Sequence, residues 1–227
     1  MQVSHRMSFP FRNVLALVAV AALAACAAGD RPARQTPDAR SARPSDDPAA
    51  RMCRAQLSAL GAEFSPLADL RSANACTSTN AVFLRSLAGD GGRFAVTNAN
   101  RIACPLAQTV SAWARYGVDR AARQMLGSPL VRIETFGAYS CRNVAGTARR
   151  SAHANALALD VSAFVLADGR RITLQEGWDG GTEAERRFLR VVHASACKRF
   201  GTVLSPDYNA AHADHFHLEA GDGSFCR

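Results

Sequence analysis

"LALDVSAFVLADGRRITL", residues 157–174, carries Asp160 and Ser162 in an otherwise apolar run, turns at Asp168-Gly169 and resumes with Ile172 and Leu174. Glycine accepts the positive φ of a tight turn, so the stretch predicts two antiparallel strands joined there. Upstream, "VRIETF" at 131–136 predicts a strand ended by Gly137. Downstream, Thr182 and Glu185 in "TEAE" form a capping box, with Phe188, Val191, Val192 and Ala196 as the buried stripe of the helix it opens. "GTVLS" at 201–205 and "HFHLE" at 215–219 predict further strands, separated by a loop over 206–213. Before residue 130 the chain reads mainly helical. "RMCRAQLSAL" at 51–60 has helical spacing, and "CPLAQTVSAWARYGVDRAARQMLG" at 104–127 starts with Pro105, stops at Gly127 and is expected to break at Gly117. Together these elements predict one α+β domain, with N-terminal helices packed on a small, mainly antiparallel sheet.

The first 26 residues read as a leader. Arg6 and Arg12 precede the apolar run Val14 to Leu23, which is too short to span a membrane. Its end, "LAAC", resembles a bacterial lipoprotein signal, which implies lipidation of Cys26 as the sole membrane attachment. A periplasm-facing lipoprotein of the outer rather than the inner membrane is the resulting expectation; an ordinary secretory signal is the alternative, and both export the chain. Residues 27–50 are rich in Arg, Pro, Ala, Asp and Ser. They lack apolar bulk to offset ordering entropy and are expected to form a disordered tether. Residues 51–227 form the expected domain.

Six cysteines remain after Cys26, an even number that suggests three disulfides in an exported chain. Pairing neighbours gives Cys53–Cys76, Cys104–Cys141 and Cys197–Cys226. None of the six lies in a CxxC pair, which argues against a cysteine metal site. The net charge is +8, and loss of Arg6 and Arg12 with the leader lowers it to about +6. No dense basic run is present, so anionic wall or lipid is a better-matched partner than nucleic acid.

The chemistry concentrates in "HANALALD", residues 153–160, and "HADHFH", residues 212–217. Alternate side chains share one face of a strand, so His215 and His217 project together while Phe216 and Leu218 face the core. A catalytic zinc takes three protein ligands and keeps a fourth position open. His153, Asp160 and His217 would supply two nitrogens and one oxygen. His193 reads as surface or packing, Ser151 as a loop serine near the site, and Tyr139 and Tyr208 as candidates to line a cleft.

The first segment resembles the histidine-to-aspartate zinc motif of the D-Ala-D-Ala metallopeptidases and their lysostaphin-type and hedgehog relatives. The second resembles the form found in murein endopeptidases. Through "AYSCR" at 138–142 and "SPDYNAAHADHFHLE" at 205–219, the chain also resembles the bacterial extensin-like C-terminal domain. These resemblances imply zinc on His153, Asp160 and His217, with His215 handling the water proton. They also imply Arg142 against a substrate carboxylate or oxyanion, and amides of peptidoglycan stem peptides or cross-links as substrate. Asp214 stands where the D-Ala-D-Ala peptidases usually carry a longer glutamate. Alternation turns it from the shared histidine face, which favours His215 as base, with His212 as a helper and Glu219 as a group that orients a histidine. A zinc-containing wall-binding or structural module, like the hedgehog relatives, is the alternative, and an electrostatic wall adaptor needing no zinc is a third.

Overall fold

The computed structural model describes residues 43–71 and 74–227. The expected leader, Cys26 and residues 27–42 of the expected tether lie outside the described residues. Residues 43–50 belong to the fold instead. Pro44 bridges Ala68, and Asp47 caps helix α1 (Pro48–Ala59), its carboxylate accepting from the Ala50 N–H at 2.8 Å. Pro48 opens that helix, where its missing N–H costs no bond, and α1 buries Ala50, Cys53 and Leu57.

Between the helix expected at 51–60 and the helical stretch expected at 104–127 lie six strands: β1 (Glu63–Pro66), β2 (Leu70–Arg71), β3 (Thr77–Ser78), β4 (Ala81–Ala88), β5 (Arg93–Val96) and β6 (Ile102–Ala103). β4 and β5 form a hairpin over residues 89–92, but β1 and β6 also pair with β4 and β5 pairs with β7 from farther along the chain, and several strands are only two residues long, so periodicity carries little of the signal. Helix α2 (Cys104–Trp113) follows and continues through two wider, π-type stretches, Ala114–Asp119 and Ala122–Leu126. Gly117 does not break the helix: a Cβ there would lie 2.2 Å from Ser195 Oγ, so its bare backbone admits a neighbouring helix. Gly127 does end it, at φ 70°.

The C-terminal half follows the expected order: β7 (Leu130–Gly137), β8 (Ala158–Leu166), β9 (Arg171–Thr173), α3 (Leu174–Gly177), α4 (Glu183–Cys197), β10 (Thr202–Leu204), β11 (Phe216–Glu219) and β12 (Phe225–Cys226). Asp168-Gly169 makes the turn between β8 and β9, with Gly169 at φ 89°. Thr182 and Glu185 form the capping box of α4. The buried stripe of α4 is Phe188, Leu189, Val192 and Ala196, whereas Val191 turns to solvent.

The class is α+β, but the sheet is large. Ten strands join it in the order β1-β4-β5-β7-β8-β11-β10-β12, with β6 on β4 and β9 on β8; β2 and β3 form a separate ribbon. β5–β7 and β10–β12 pair in parallel, and the other pairs are antiparallel. β8 is buried along its whole length. Leu159, Val161, Phe164, Phe216 and Leu218 join the apolar core with Trp113 and Phe188 of the helices. Trp113 meets Phe164 edge to face and donates its indole N–H to the Val192 carbonyl at 3.1 Å. Asp160 and His217 alternate with those core residues and point to the opposite face.

The disulfides are Cys53–Cys104, Cys76–Cys141 and Cys197–Cys226. Only the last follows the neighbour pairing; the other two cross, because α1 packs on α2 and β3 lies against the 138–156 segment. Peptide mapping of the unreduced protein is expected to recover these crossed pairs. The double substitution Cys76→Ser with Cys141→Ser is expected to lower stability by about 2–4 kcal/mol, read in denaturant melts.

Candidate functional site

His153 lies on a short 3-10 turn (Ala152–Asn155), entered where Ser151 Oγ accepts the His153 N–H at 3.3 Å. Ala156 leaves the turn at φ 57°, a left-handed conformation for a residue with a Cβ, held because its carbonyl accepts from the Ala103 N–H. Four residues later Asp160 projects from β8. β11 pairs antiparallel with β8 so that His217 stands opposite Asp160. One turn and two strands thus bring the three residues together.

His153 Nε2 lies 3.2 Å from His217 Nδ1 and 3.1 Å from Asp160 Oδ2, and His217 Nδ1 lies 2.8 Å from Asp160 Oδ1. All three side chains are buried. The outward ring nitrogens are anchored: His153 Nδ1 donates to the Ala138 carbonyl at 3.2 Å, and His217 Nε2 donates to Glu219 Oε1 at 2.8 Å. A carbonyl or carboxylate oxygen can only accept, so in neutral rings the inward nitrogens are bare lone pairs. Two lone pairs and a carboxylate then face one another within hydrogen-bond distance, an arrangement that only a shared cation, proton or metal, stabilises. The residues therefore fit a metal ion, with the second ring nitrogens fixed as ligand histidines usually are.

The electrostatics follow from this crowding. Burial works against charge on His217, but its hydrogen bonds to Asp160 and Glu219 outweigh it and raise its pKa to about 9. Burial would raise Asp160, yet hydrogen bonds from His153 and His217 hold it well below the usual carboxylate range. The bond from His217 likewise lowers Glu219. His212, desolvated and beside two other histidines, falls to about 4.

His215 precedes β11 and stays outside the triad, its Nε2 3.6 Å from Asp160 Oδ1. Its Nδ1 donates to Asp214 Oδ1 at 2.7 Å. Asp214 is therefore not turned away from the histidines, as strand alternation predicts; the regular strand begins only at Phe216, so alternation does not govern residue 214. His212 donates from Nδ1 to Asn209 Oδ1 at 2.7 Å, and its ring lies 5.2 Å from that of His215. Tyr208 packs edge to face on His212. His215, His212, Asn209 and Tyr208 line a cleft of about 380 Å³ that also receives Arg142 and Arg149. Neither arginine forms an ion pair among the described residues. Arg149 and Asn209 were not singled out from sequence, where nearness to His153 and to "HADHFH" was the available signal. His193 is a packing residue, stacked on Phe216 and edge-on to Trp178. Its Nε2 also lies 3.7 and 3.6 Å from Cys197 Sγ and Cys226 Sγ, but those sulfurs are joined as a disulfide.

The sequence matches the family described as Extensin-like protein C-terminus over residues 51–227. The chain belongs to this family. The extensin-like match covers both halves of the site and the helical region before them. No curated protein and no solved structure matches the chain.

In the metal-free extensin-like domain, His217 is expected to titrate near pH 9 by NMR, and Glu219→Gln to bring it down toward the ordinary histidine value. Because the folded pKa is raised, this contribution to stability is complete below about pH 6.5. It is lost as pH rises through about 9, so chelated protein is expected to melt at lower temperature across that window.

Proposed function

We propose that this protein is an exported, zinc-dependent peptidase that hydrolyses amides in peptidoglycan stem peptides or cross-links. The observation that carries the reading is a buried set of three converging acceptors with a separate histidine, His215, held beside it. A fourth protein ligand would suit a structural zinc; an adjoining histidine anchored elsewhere suits catalysis. Three disulfides suggest an extracellular or periplasmic location, where wall peptides are available. An anchor on Cys26 would keep the enzyme at the envelope.

His153 Nε2, Asp160 and His217 Nδ1 would hold the ion. Zinc in such a site polarises an amide carbonyl and brings the pKa of water toward 7. His215 accepts the water proton at Nε2 and returns it to the leaving amine, while Asp214 fixes the ring through Nδ1. His212 stays neutral at working pH, since its pKa lies near 4, and can accept a hydrogen bond in the cleft. Arg142 and Arg149 offer guanidinium groups to a substrate carboxylate or to the oxyanion formed at the attacked carbonyl. Glu219 keeps His217 in the tautomer that exposes Nδ1.

The protein is expected to bind about one zinc per chain. His217→Ala should abolish binding, and Glu219→Gln should weaken it by about 10–100-fold, read by competition with a chromogenic chelator. Purified peptidoglycan incubated with the protein should release peptide fragments, identified by mass, and a chelator should stop the release. His215→Ala should retain zinc and lose hydrolysis by at least about 100-fold. Fragments released equally with chelator, or no zinc bound after exposure, would defeat the reading. Binding to wall with zinc but without cleavage would favour the non-catalytic module.

A further inference from the structure

Beside the cleft lies a second cavity of about 340 Å³, walled in part by Asn98, Asn100, Arg101, Phe136 and Tyr139. Phe136 stands between the two: its ring meets that of His215 at 72°, centroids 5.6 Å apart, yet the residue is 58% exposed. A large aromatic ring left open at the edge of a polar cavity offers an apolar platform to a ligand. The polar groups around it are only partly engaged. Asn98 donates Nδ2 to the Thr135 carbonyl, and Arg101 donates Nη1 to the Ala68 carbonyl and Ser78 Oγ. The Asn100 amide and the Tyr139 hydroxyl make no hydrogen bond among the described residues.

This chemistry narrows the ligand. A multiply charged anion is poorly served, because Arg101 is the one cation in the lining and already serves two oxygens. An extended peptide docks best on a free strand edge, but around Phe136 β7 pairs with β8 on one side, and on the other Thr97 and Asn98 hydrogen-bond to Thr135. A neutral ring with an apolar face, hydroxyls and an amide of its own matches the platform, the phenol and the two side-chain amides together. The volume falls in the range of small-ligand pockets.

We propose that this cavity is a saccharide subsite that holds an N-acetylated amino-sugar ring next to His215. Resting on the peptidase reading above, it makes the preferred substrate a peptide still joined to its glycan strand, with the sugar seated on Phe136 and the amide to be cut in the metal cleft.

The test is binding without turnover. The exported protein, kept in chelator, is titrated with a trimer of N-acetylglucosamine, and backbone amide shifts are followed by NMR. Saturable shifts at 98–101 and 136–139 are expected, with Phe136→Ala weakening binding about tenfold. Phe136→Trp should preserve binding, which separates loss of a platform from loss of the fold. No saturable shift, shifts elsewhere, or equal affinity in Phe136→Ala would overturn the proposal. A glycan-free stem peptide producing the same shifts would overturn it in favour of a peptide subsite. Because no hydrolysis is read, sugar binding can fail while the peptidase stands, and it can succeed if the peptidase reading fails.

Discussion

The pairing of Asp160 on β8 with His217 on β11 is the constraint on which the remaining architecture depends. A buried carboxylate is tolerated when charge and hydrogen bonds compensate it, and here two histidines do so. The compensation needs the present register. A slip of one residue would send His217 into the helical core and Phe216 onto the polar face. Core packing enforces the same register independently, since Leu159, Val161, Phe216 and Leu218 fill the other face. Apolar packing therefore fixes the polar site, and the site need not contribute net stability to be held in place.

The third member of the set arrives by a different route. His153 comes from the segment between β7 and β8, where Cys141 is tied to Cys76 and Ala156 takes a left-handed conformation. The same segment carries Arg142 and Arg149 into the cleft. Its carbonyl at Ala138 orients His153, and Phe136 and Tyr139 wall the neighbouring cavity. One disulfide-anchored crossing thus supplies a converging histidine and two arginines of the cleft, and it carries Tyr139 to the neighbouring cavity beside Phe136 at the end of β7. Rigidity there matters because the acceptors lie within about 3 Å of one another, where small displacements change which atoms can share a cation.

The C-terminal half was legible because its signals are local. Asp168-Gly169 marks a turn by φ preference, Thr182 and Glu185 mark a helix start by reciprocal hydrogen bonds, and "HFHLE" marks a strand by alternation, which holds from Phe216 onward. The N-terminal half was not: β4 and β5 do form a local hairpin over "GDGG" at 89–92, but β1, β6 and the β5–β7 pairing join partners farther along the chain, and most of these strands are short with mixed burial patterns. The crossed disulfides failed for the same reason: spacing along the chain does not reveal that α1 lies on α2. Val191 misled because the stripe through Phe188, Val192 and Ala196 can widen on either of its two sides, toward Leu189 or toward Val191, and Leu189 took the buried place. The site residues were readable as types and positions, whereas the anchoring of each ring nitrogen emerged only from the fold.

That anchoring explains why two histidines two residues apart differ. Asp214 adjoins His215 in sequence, and its short side chain meets Nδ1, the ring nitrogen nearer the backbone, at 2.7 Å. Nε2 of His215 is thereby left facing Asp160. Glu219 lies two residues beyond His217 on the same strand face, and its longer side chain meets Nε2 at the ring's far end, leaving Nδ1 facing inward. The acid's length and offset select the nitrogen that each ring presents. A glutamate at 214 would carry its carboxylate one methylene farther and relax the hold on Nδ1, so the shorter acid is the one suited to an adjacent histidine. His217 within β11 and His215 just before it therefore become two different chemical groups, one within the converging set and one beside it.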